Sequence, residues 1–394
     1  MEILIRILSW FCKVLTFYTA AMGVFFLLPR RKRPQAEPQT RFAVLIPARN
    51  EEKVIASCIE SLYSQVYPGG LFDVFVIPNN CTDSTEAAAR RAGARILTCR
   101  GAVYSKGDVL HDIFDQLKGH YDAYCVFDAD NIVAPGFLAR MNDAVVSGAH
   151  VAKSRQIALN PYDSWVSGCY DLYFENFNLL YSRPRERLGL SAKLIGTGFM
   201  ITDNLLDRMG GWNTVTLTED TELAAQCALL GERVHYVADA LTYDEQPLSF
   251  ATSLRQRRRW SSGVQSTANR YIPRLLTARP NFLCMDYAVF LSMIYVQLLA
   301  AVPVLYGLLG QSLEQIAVTL GLSLVGYYAG MILTAIFLAA MNRRDLRKMW
   351  KSILLYPVFI ASWYPLHILS LFSKPKTWKP IPHGARRVFK SAVR

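Results

Sequence analysis

Apolar runs long enough to cross a bilayer stand at both ends of the chain: Ile7 to Leu28, then Phe282 to Leu309, Ile316 to Met341 and Ile353 to Phe372. A spanning helix needs about 20 such residues. Inside hydrocarbon every backbone N–H and C=O must be satisfied within its own segment, so these runs are confined to helices. The polar stretch between them must then fold as a separate body held to the membrane at both ends. Hydrophobic residues make up 52% of the 394, and the excess lies in those end segments. The formal charge of +12 sits mainly at their flanks, in Arg30-Arg31-Lys32-Arg33, Arg255 to Arg259, Arg343 to Lys351 and Lys374 to Arg394. Lys and Arg at such flanks mark the cytoplasmic side and favour anionic lipid. The basicity therefore points to a membrane and to no nucleic acid.

The organisation that follows is an anchor over 1–29 and a basic linker over 30–40. A cytosolic body over 41–275, a membrane region over 276–373 and a basic tail over 374–394 complete it. A cleavable signal peptide competes for the first segment, but its positive cluster follows the apolar run, and no small-residue cleavage site is evident. An anchor with its N-terminus outside is the reading. Phe282 to Leu309 and Ile316 to Met341 predict a hairpin across the bilayer. The last run is long enough to span, but Pro357 and Pro365 interrupt it. It reads as a spanning, re-entrant or interfacial segment, and the last two readings, which are favoured, leave the tail with Trp378 and His383 in the cytosol. The eight cysteines are scattered singly and form no cluster with the six histidines, so neither zinc nor a disulfide framework is indicated.

From Arg41 strands and helices alternate. Strands are predicted over Phe42 to Pro47, Val74 to Pro78, Ala94 to Thr98 and Tyr124 to Phe127, with helices over Glu52 to Gln65 and Asp83 to Ala92. This alternation predicts an α/β body with a mostly parallel sheet whose ligands bind beyond the strand C-termini. Polar motifs stand at those ends: Pro47-Ala48-Arg49-Asn50-Glu51 after the first strand, Asn79-Asn80-Cys81-Thr82-Asp83 after the second, and Asp128-Ala129-Asp130 after Phe127. Residues i and i+2 of a strand share a side, so Asp128 and Asp130 can face one point, as a Mg²⁺ or Mn²⁺ ion on a diphosphate requires. An Asp-x-Asp pair also arises by chance in solvated loops, and Asp83 or Thr82 fits an ordinary helix cap. Downstream stand Gly196-Thr197-Gly198, Thr218-Glu219-Asp220 and Gln256-Arg257-Arg258-Arg259-Trp260. The first also reads as a tight turn, the second as a helix start and the third as an interfacial anchor. An aromatic stretch over Tyr162 to Leu190 reads either as a cover on a sugar-binding site or as packing against sheet and membrane.

In order and spacing, Asp83, Asp128-Ala129-Asp130, Thr218-Glu219-Asp220 and Gln256-x-x-Arg259-Trp260 resemble the membrane-bound family 2 glycosyltransferases. These include cellulose, hyaluronan and poly-N-acetylglucosamine synthases and ceramide glucosyltransferase. The resemblance implies a GT-A nucleotide-sugar-binding fold with flanking transmembrane helices and the use of Mg²⁺ or Mn²⁺. It implies that Ala48, Asn50, Glu51, Asn79, Asp83 and Asp128 bind the nucleotide sugar, with Asp130 and Asp128 on the metal. Asp220, with Glu219 beside it, would be the general base. Gly196, Thr197, Gly198, Gln256, Arg259 and Trp260 would meet the acceptor or the diphosphate. Asn79 departs from the pattern, since many relatives carry Asp there to bond uracil.

The expected reaction is inverting transfer of a hexose or N-acetylhexosamine from a UDP-sugar to a growing cell-surface polysaccharide. Its site would be the cytosolic face of the plasma or inner membrane. Polymer synthases surround the product with more helices than this chain offers, so that reading calls for a second copy or an export partner. Transfer of one sugar to a lipid acceptor is the alternative, and an inactive membrane scaffold is the alternative of another class.

Overall fold

The computed structural model describes residues 1–29, 33–278 and 281–372. Arg30 to Lys32 and the tail from Lys374, including Trp378 and His383, lie outside the described residues.

The central body is built on an eight-stranded sheet. Its strands are β1 (Phe42–Ala48), β2 (Phe72–Pro78), β3 (Arg95–Ile96), β4 (Ala123–Val126), β5 (Ile132–Val133), β6 (Val151–Ala158), β7 (Phe199–Thr202) and β8 (His235–Asp244). Their spatial order is β3-β2-β1-β4-β7-β6-β8-β5. The half from β3 to β4 is parallel, as the alternation predicts. The other half is mixed, because β7 runs antiparallel to both β4 and β6, while β6 and β8 are parallel. The reason lies in the chain path. The helices over 165–188 carry it away from the sheet, and it re-enters through Gly196-Thr197-Gly198 from the opposite direction.

Side chains of β1 alternate between two cores. Ala43 and Leu45 join Phe75, Ile77, Tyr124 and Val126 beneath the helices Lys106–Leu117 and Glu219–Leu229. Phe42, Val44 and Ile46 join Val74, Val76 and Ala123 beneath Ile55–Tyr63 and Phe137–Val146. With both faces covered, these strands read as continuous apolar runs. The first two helices begin later than predicted, at Ile55 and Thr85, because side chains hold the preceding loops open. The Glu51 N–H donates to Thr85 Oγ (2.8 Å) and the Glu52 N–H to Asp83 (3.1 Å).

Four helical stretches are long and apolar enough to cross a membrane: Glu2–Leu27, Phe282–Gly307, Leu313–Met341 and Leu346–Phe372. In the last, a break at Ser362 separates Leu346–Ala361 from Trp363–Phe372. That segment is the most enclosed, with 44% of its apolar window buried against 11 to 22% in the others. It lies against the aromatic cover, where Val166, Tyr170 and Phe174 pack on Met349, Phe359, Ala335 and Leu338. Arg185 of the cover donates two bonds, 2.8 and 2.9 Å, to Asp286. Tyr18 of the first helix donates to the same carboxylate (2.8 Å). These apolar helices, the cover and the sheet therefore form one packed unit around the strand C-termini.

Candidate active site

The polar motifs converge because β1, β2 and β4 run in parallel and end at one edge. There a continuous cavity of ≈ 770 Å³ opens, and it holds most of the residues singled out from sequence. At one end stand Pro47, Arg49, Glu51 and Asn79. Arg49 donates to Asn79 Oδ1 from Nε (3.0 Å) and a terminal nitrogen (2.7 Å), while Asn79 Nδ2 donates to the Ala48 carbonyl (3.1 Å). The amide that replaces the expected carboxylate thus already has partners on both of its atoms.

Three nearby candidates lie outside the cavity wall. Asp83 accepts from the Thr85 N–H (3.0 Å), the Thr85 hydroxyl (2.5 Å) and the Glu52 N–H. Burial acts against its charge, yet these bonds hold its carboxyl below the usual range. Asn50, in the left-handed region at φ 60°, accepts from the Thr82 N–H (2.8 Å). Ala48 offers its carbonyl, to the Asn79 side chain and N–H and to the Cys81 thiol. All three shape the loops.

In the middle of the cavity Asp128 and Asp130 face Glu219 and Asp220. The Asp128 N–H donates to Thr197 Oγ (3.0 Å), and Thr197 in turn bonds Asn131, so the Gly-Thr-Gly turn holds the acidic loop from below. Gly196 and Thr197 face the cavity and Gly198 is packed behind them. At Gly198, with φ +60°, a β-carbon would come within 2.6 Å of Ser154 Oγ and 2.8 Å of Thr242, which leaves room for glycine alone.

Lys106, not singled out from sequence, stands at the centre. Its ammonium donates to Asp128 Oδ1 and to the Gly196 carbonyl, each at 2.5 Å, and lies 3.9 Å from Glu219. Burial opposes that charge, but Asp128 and Glu219 outweigh it and hold the lysine pKa above its ordinary value. Ser105 and Asp108 form a reciprocal capping box that fixes the helix start carrying Lys106. Burial, reinforced by Asp220 and opposed by Lys106, pushes the Glu219 carboxyl up to about 7. Lys153 and Lys193 are each brought down to about 8 by burial, against the pull of Asp244 on the first and Asp220 on the second.

Among the described residues no three His, Cys, Asp or Glu side chains form a metal-ligand cluster. Asp128 and Asp130 nevertheless suit a hard divalent cation that takes its other ligands from a diphosphate. Burial and the charge of Asp130 both raise the carboxyl of Asp244, a repulsion that a cation between these acids would relieve.

The far end is lined by the Phe250–Thr277 helix, the cover and the apolar helices of 282–307, 313–341 and 346–372. Gln256, Arg259 and Trp260 are spaced i, i+3 and i+4, so one helix face brings all three to the cavity. Gln256 Oε1 accepts from the Tyr170 hydroxyl (2.9 Å), and Trp260 stacks on Trp363 with ring centroids 6.5 Å apart. Arg257 points the other way, is fully buried, and donates to the Phe359 carbonyl (2.9 Å). The cationic run is therefore divided between one arginine in the site and another that binds the body to the apolar helix Leu346–Ala361. Gly263 lets this helix approach Thr218, whose methyl would stand 2.5 Å from an added β-carbon. Tyr173, Phe174 and Phe177 of the cover continue the wall, which is completed by Phe290, Met293 and Ile294, then Met331 and Thr334, then Tyr356 and Ile360. The Lys193 ammonium sits 4.3 Å from the Phe290 ring centroid at the junction of the polar and apolar parts.

Residues 38–263, more than half of the chain, match the family described as "Glycosyltransferase like family 2". The protein named "Beta-monoglucosyldiacylglycerol synthase" of Nostoc sp. is 27% identical over 328 residues, covering 79% of this chain and 69% of its own. "Probable glycosyltransferase YdaM" of Bacillus subtilis is 27% identical over 262 residues, covering 64% and 61%. The chain spans about 60 to 70% of the length of these two relatives. Among solved structures, the mannosyltransferase PcManGT from Pyrobaculum calidifontis, in complex with GDP-Man and Mn²⁺, superposes with a TM-score of 0.63. It has 18% identity, and the match covers 93% of this chain and 99% of that one, which establishes a shared GT-A-like fold. The chain is a family 2 glycosyltransferase, an α/β enzyme of GT-A-like fold with four apolar helices at its flanks.

Proposed function

We propose that the enzyme transfers one sugar, with inversion, from a UDP-sugar to a membrane lipid whose polar head reaches Asp220 from between the membrane helices. The observation that carries this reading is the continuity of the cavity. It runs from Arg49 and Asn79, past Asp128, Asp130 and Asp220, to Ile294, Met331 and Ile360 on three apolar helices. A lipid acceptor needs such a polar-to-apolar passage, since its chains stay in hydrocarbon while its hydroxyl meets the donor. The name of the Nostoc relative, a glucosyldiacylglycerol synthase, agrees with it.

In this reading the acceptor hydroxyl gives its proton to Asp220 as its oxygen bonds the anomeric carbon. The bond from that carbon to the diphosphate breaks, and its electron pair leaves with the nucleotide. Lys106 and Arg259 face the charge that gathers there. A Mg²⁺ or Mn²⁺ ion on Asp130 and Asp128 would add Lewis-acid stabilisation of the same leaving group. The flanking basic segments support a cytosolic side for this chemistry.

A second reading, extension of a β-linked polysaccharide, draws support from the aromatic rings of Tyr173, Phe174, Trp260 and Trp363 along the wall, whose faces suit pyranose rings. Incubating membranes that hold the enzyme with a panel of radiolabelled UDP-sugars and Mg²⁺ or Mn²⁺ separates the two. The lipid reading expects label in the organic extract as a single added sugar. Label in long water-soluble chains overturns it in favour of the polymer.

A further inference from the structure

Two buried oxygen atoms in the cavity wall have no donor among the described residues: Oδ1 of Asp244 and Oε1 of Gln156. The residues are 6% and 3% exposed. In the parallel pairing of β6 with β8, Gln156 lies opposite Thr242, two residues before Asp244. Both side chains therefore stand on one face of the sheet. Gln156 Nε2 donates to Asp244 Oδ2, which fixes the pair as one rigid element and leaves the other oxygen of each as an acceptor. Both residues line the cavity beside Asp130, Thr197 and Asp220. Lys153, 2% exposed and attracted to Asp244, balances the charge from behind while donating to Ser154 Oγ (3.2 Å).

Buried acceptors without partners are costly and rare. A cation on Asp130 would serve the Asp244 carboxylate but not the neutral amide oxygen of Gln156, so a ligand for both is one that brings hydrogens. A diphosphate is excluded, because it is anionic, accepts only, and would be repelled by Asp244. The nucleobase belongs to the other end, at Arg49 and Asn79, and lipid chains offer no donors. The hydroxyl-rich group that lies next to a diphosphate held at Asp128 and Asp130 is the donor sugar itself. We propose that Asp244 and Gln156 bind the donor glycosyl group through its hydroxyls and set which sugar nucleotide the enzyme accepts. This rests on glycosyl transfer from a nucleotide sugar and is independent of the acceptor.

The test is calorimetric binding to the full-length protein in detergent with Mg²⁺. The ligands are UDP, GDP, UDP-glucose, UDP-N-acetylglucosamine and GDP-mannose, and the proteins are wild type, Asp244→Asn and Gln156→Leu. Asp244→Asn keeps the shape but presents a donor where an acceptor stood. Its affinity for the free nucleoside diphosphate should stay within about twofold, which also reports an intact fold, while the preferred sugar nucleotide weakens roughly 10- to 100-fold, the range for a hydrogen bond to a charged group. Gln156→Leu should weaken the sugar nucleotide alone, by a smaller factor. Equal weakening of nucleotide and sugar nucleotide would assign the pair to the metal and diphosphate and overturn the proposal, as would unchanged affinity for both. Wild-type protein that binds none of the five would instead overturn the nucleotide-sugar reading beneath it.

Discussion

The two ends of the cavity are built in opposite ways. At the end proposed for the nucleotide, Pro47, Arg49, Glu51, Asn79 and Asp128 to Asp130 come from the ends of parallel strands of one half-sheet and the loops that follow them. At the end proposed for the acceptor the wall comes from the cover and from three apolar helical stretches, each giving two to five side chains such as Ile294, Met331 and Ile360. Strand topology gathers the first set by itself, whereas only helix packing gathers the second. Changes at the nucleotide end should thus alter chemistry and donor binding, and changes at the acceptor end should alter lipid use alone.

The largest expected effect falls where the two ends meet. Asp220→Asn should lower turnover by roughly 10²- to 10⁴-fold, the usual worth of a positioned base, and leave donor affinity intact. Rates measured beside calorimetric donor affinity check this, and unchanged turnover would remove Asp220 from the reaction. Next is Lys106→Met, which takes the cation from among Asp128, Glu219 and the Gly196 carbonyl. Turnover and donor affinity should both drop, with kcat/KM lower by about 100-fold.

A smaller effect is expected from pH. With its carboxyl pushed up to about 7, Glu219 is protonated below that value and ionised above it. The kcat/KM profile should rise through pH 7 in the wild type and lose that limb in Glu219→Gln, a difference of about tenfold per pH unit below 7. The raised folded-state value also means that Glu219 favours the folded chain below 4.5, a contribution that fades as pH rises through 7. Thermal melts of the same variant across this window follow it. The smallest effect belongs to Asn79→Asp. Arg49 already holds the Asn79 oxygen, so the substitution makes a partly exposed ion pair and should change UDP affinity by less than about fivefold.

The same contrast explains what was legible in the sequence. Asp128, Asp130, Glu219, Asp220, Gln256, Arg259 and Trp260 stand in short motifs whose spacing matches strand or helix periodicity, and the fold brings all of them to one wall. Lys106 was missed although a signal existed: Ser105 and Asp108 form a capping box, and helix starts in α/β folds lie at the ligand edge. Asp244 carried a weaker form of the same signal, as the last residue of β8. Asp83 belongs to a recognisable motif, yet its oxygens are spent on Thr85 and Glu52. Met331 and Ile360 had no signal, because the sequence of a strongly apolar helix does not say which face lines a cavity. The mixed half of the sheet was hidden for a related reason, since β7 takes its direction from the distant cover and not from its own residues.

The most direct test of a single cavity with a lipid end is Met331→Trp, which fills the passage between membrane helices without touching the acids. The same preparation is assayed for calorimetric affinity for the UDP-sugar, for slow transfer of its sugar to water, and for transfer to lipid. The account predicts unchanged donor affinity and water transfer, with the KM for lipid raised by roughly tenfold, in line with the ~1 to 3 kcal/mol that overpacking costs. Lipid transfer that proceeds with wild-type KM in this variant would contradict it and place the acceptor elsewhere.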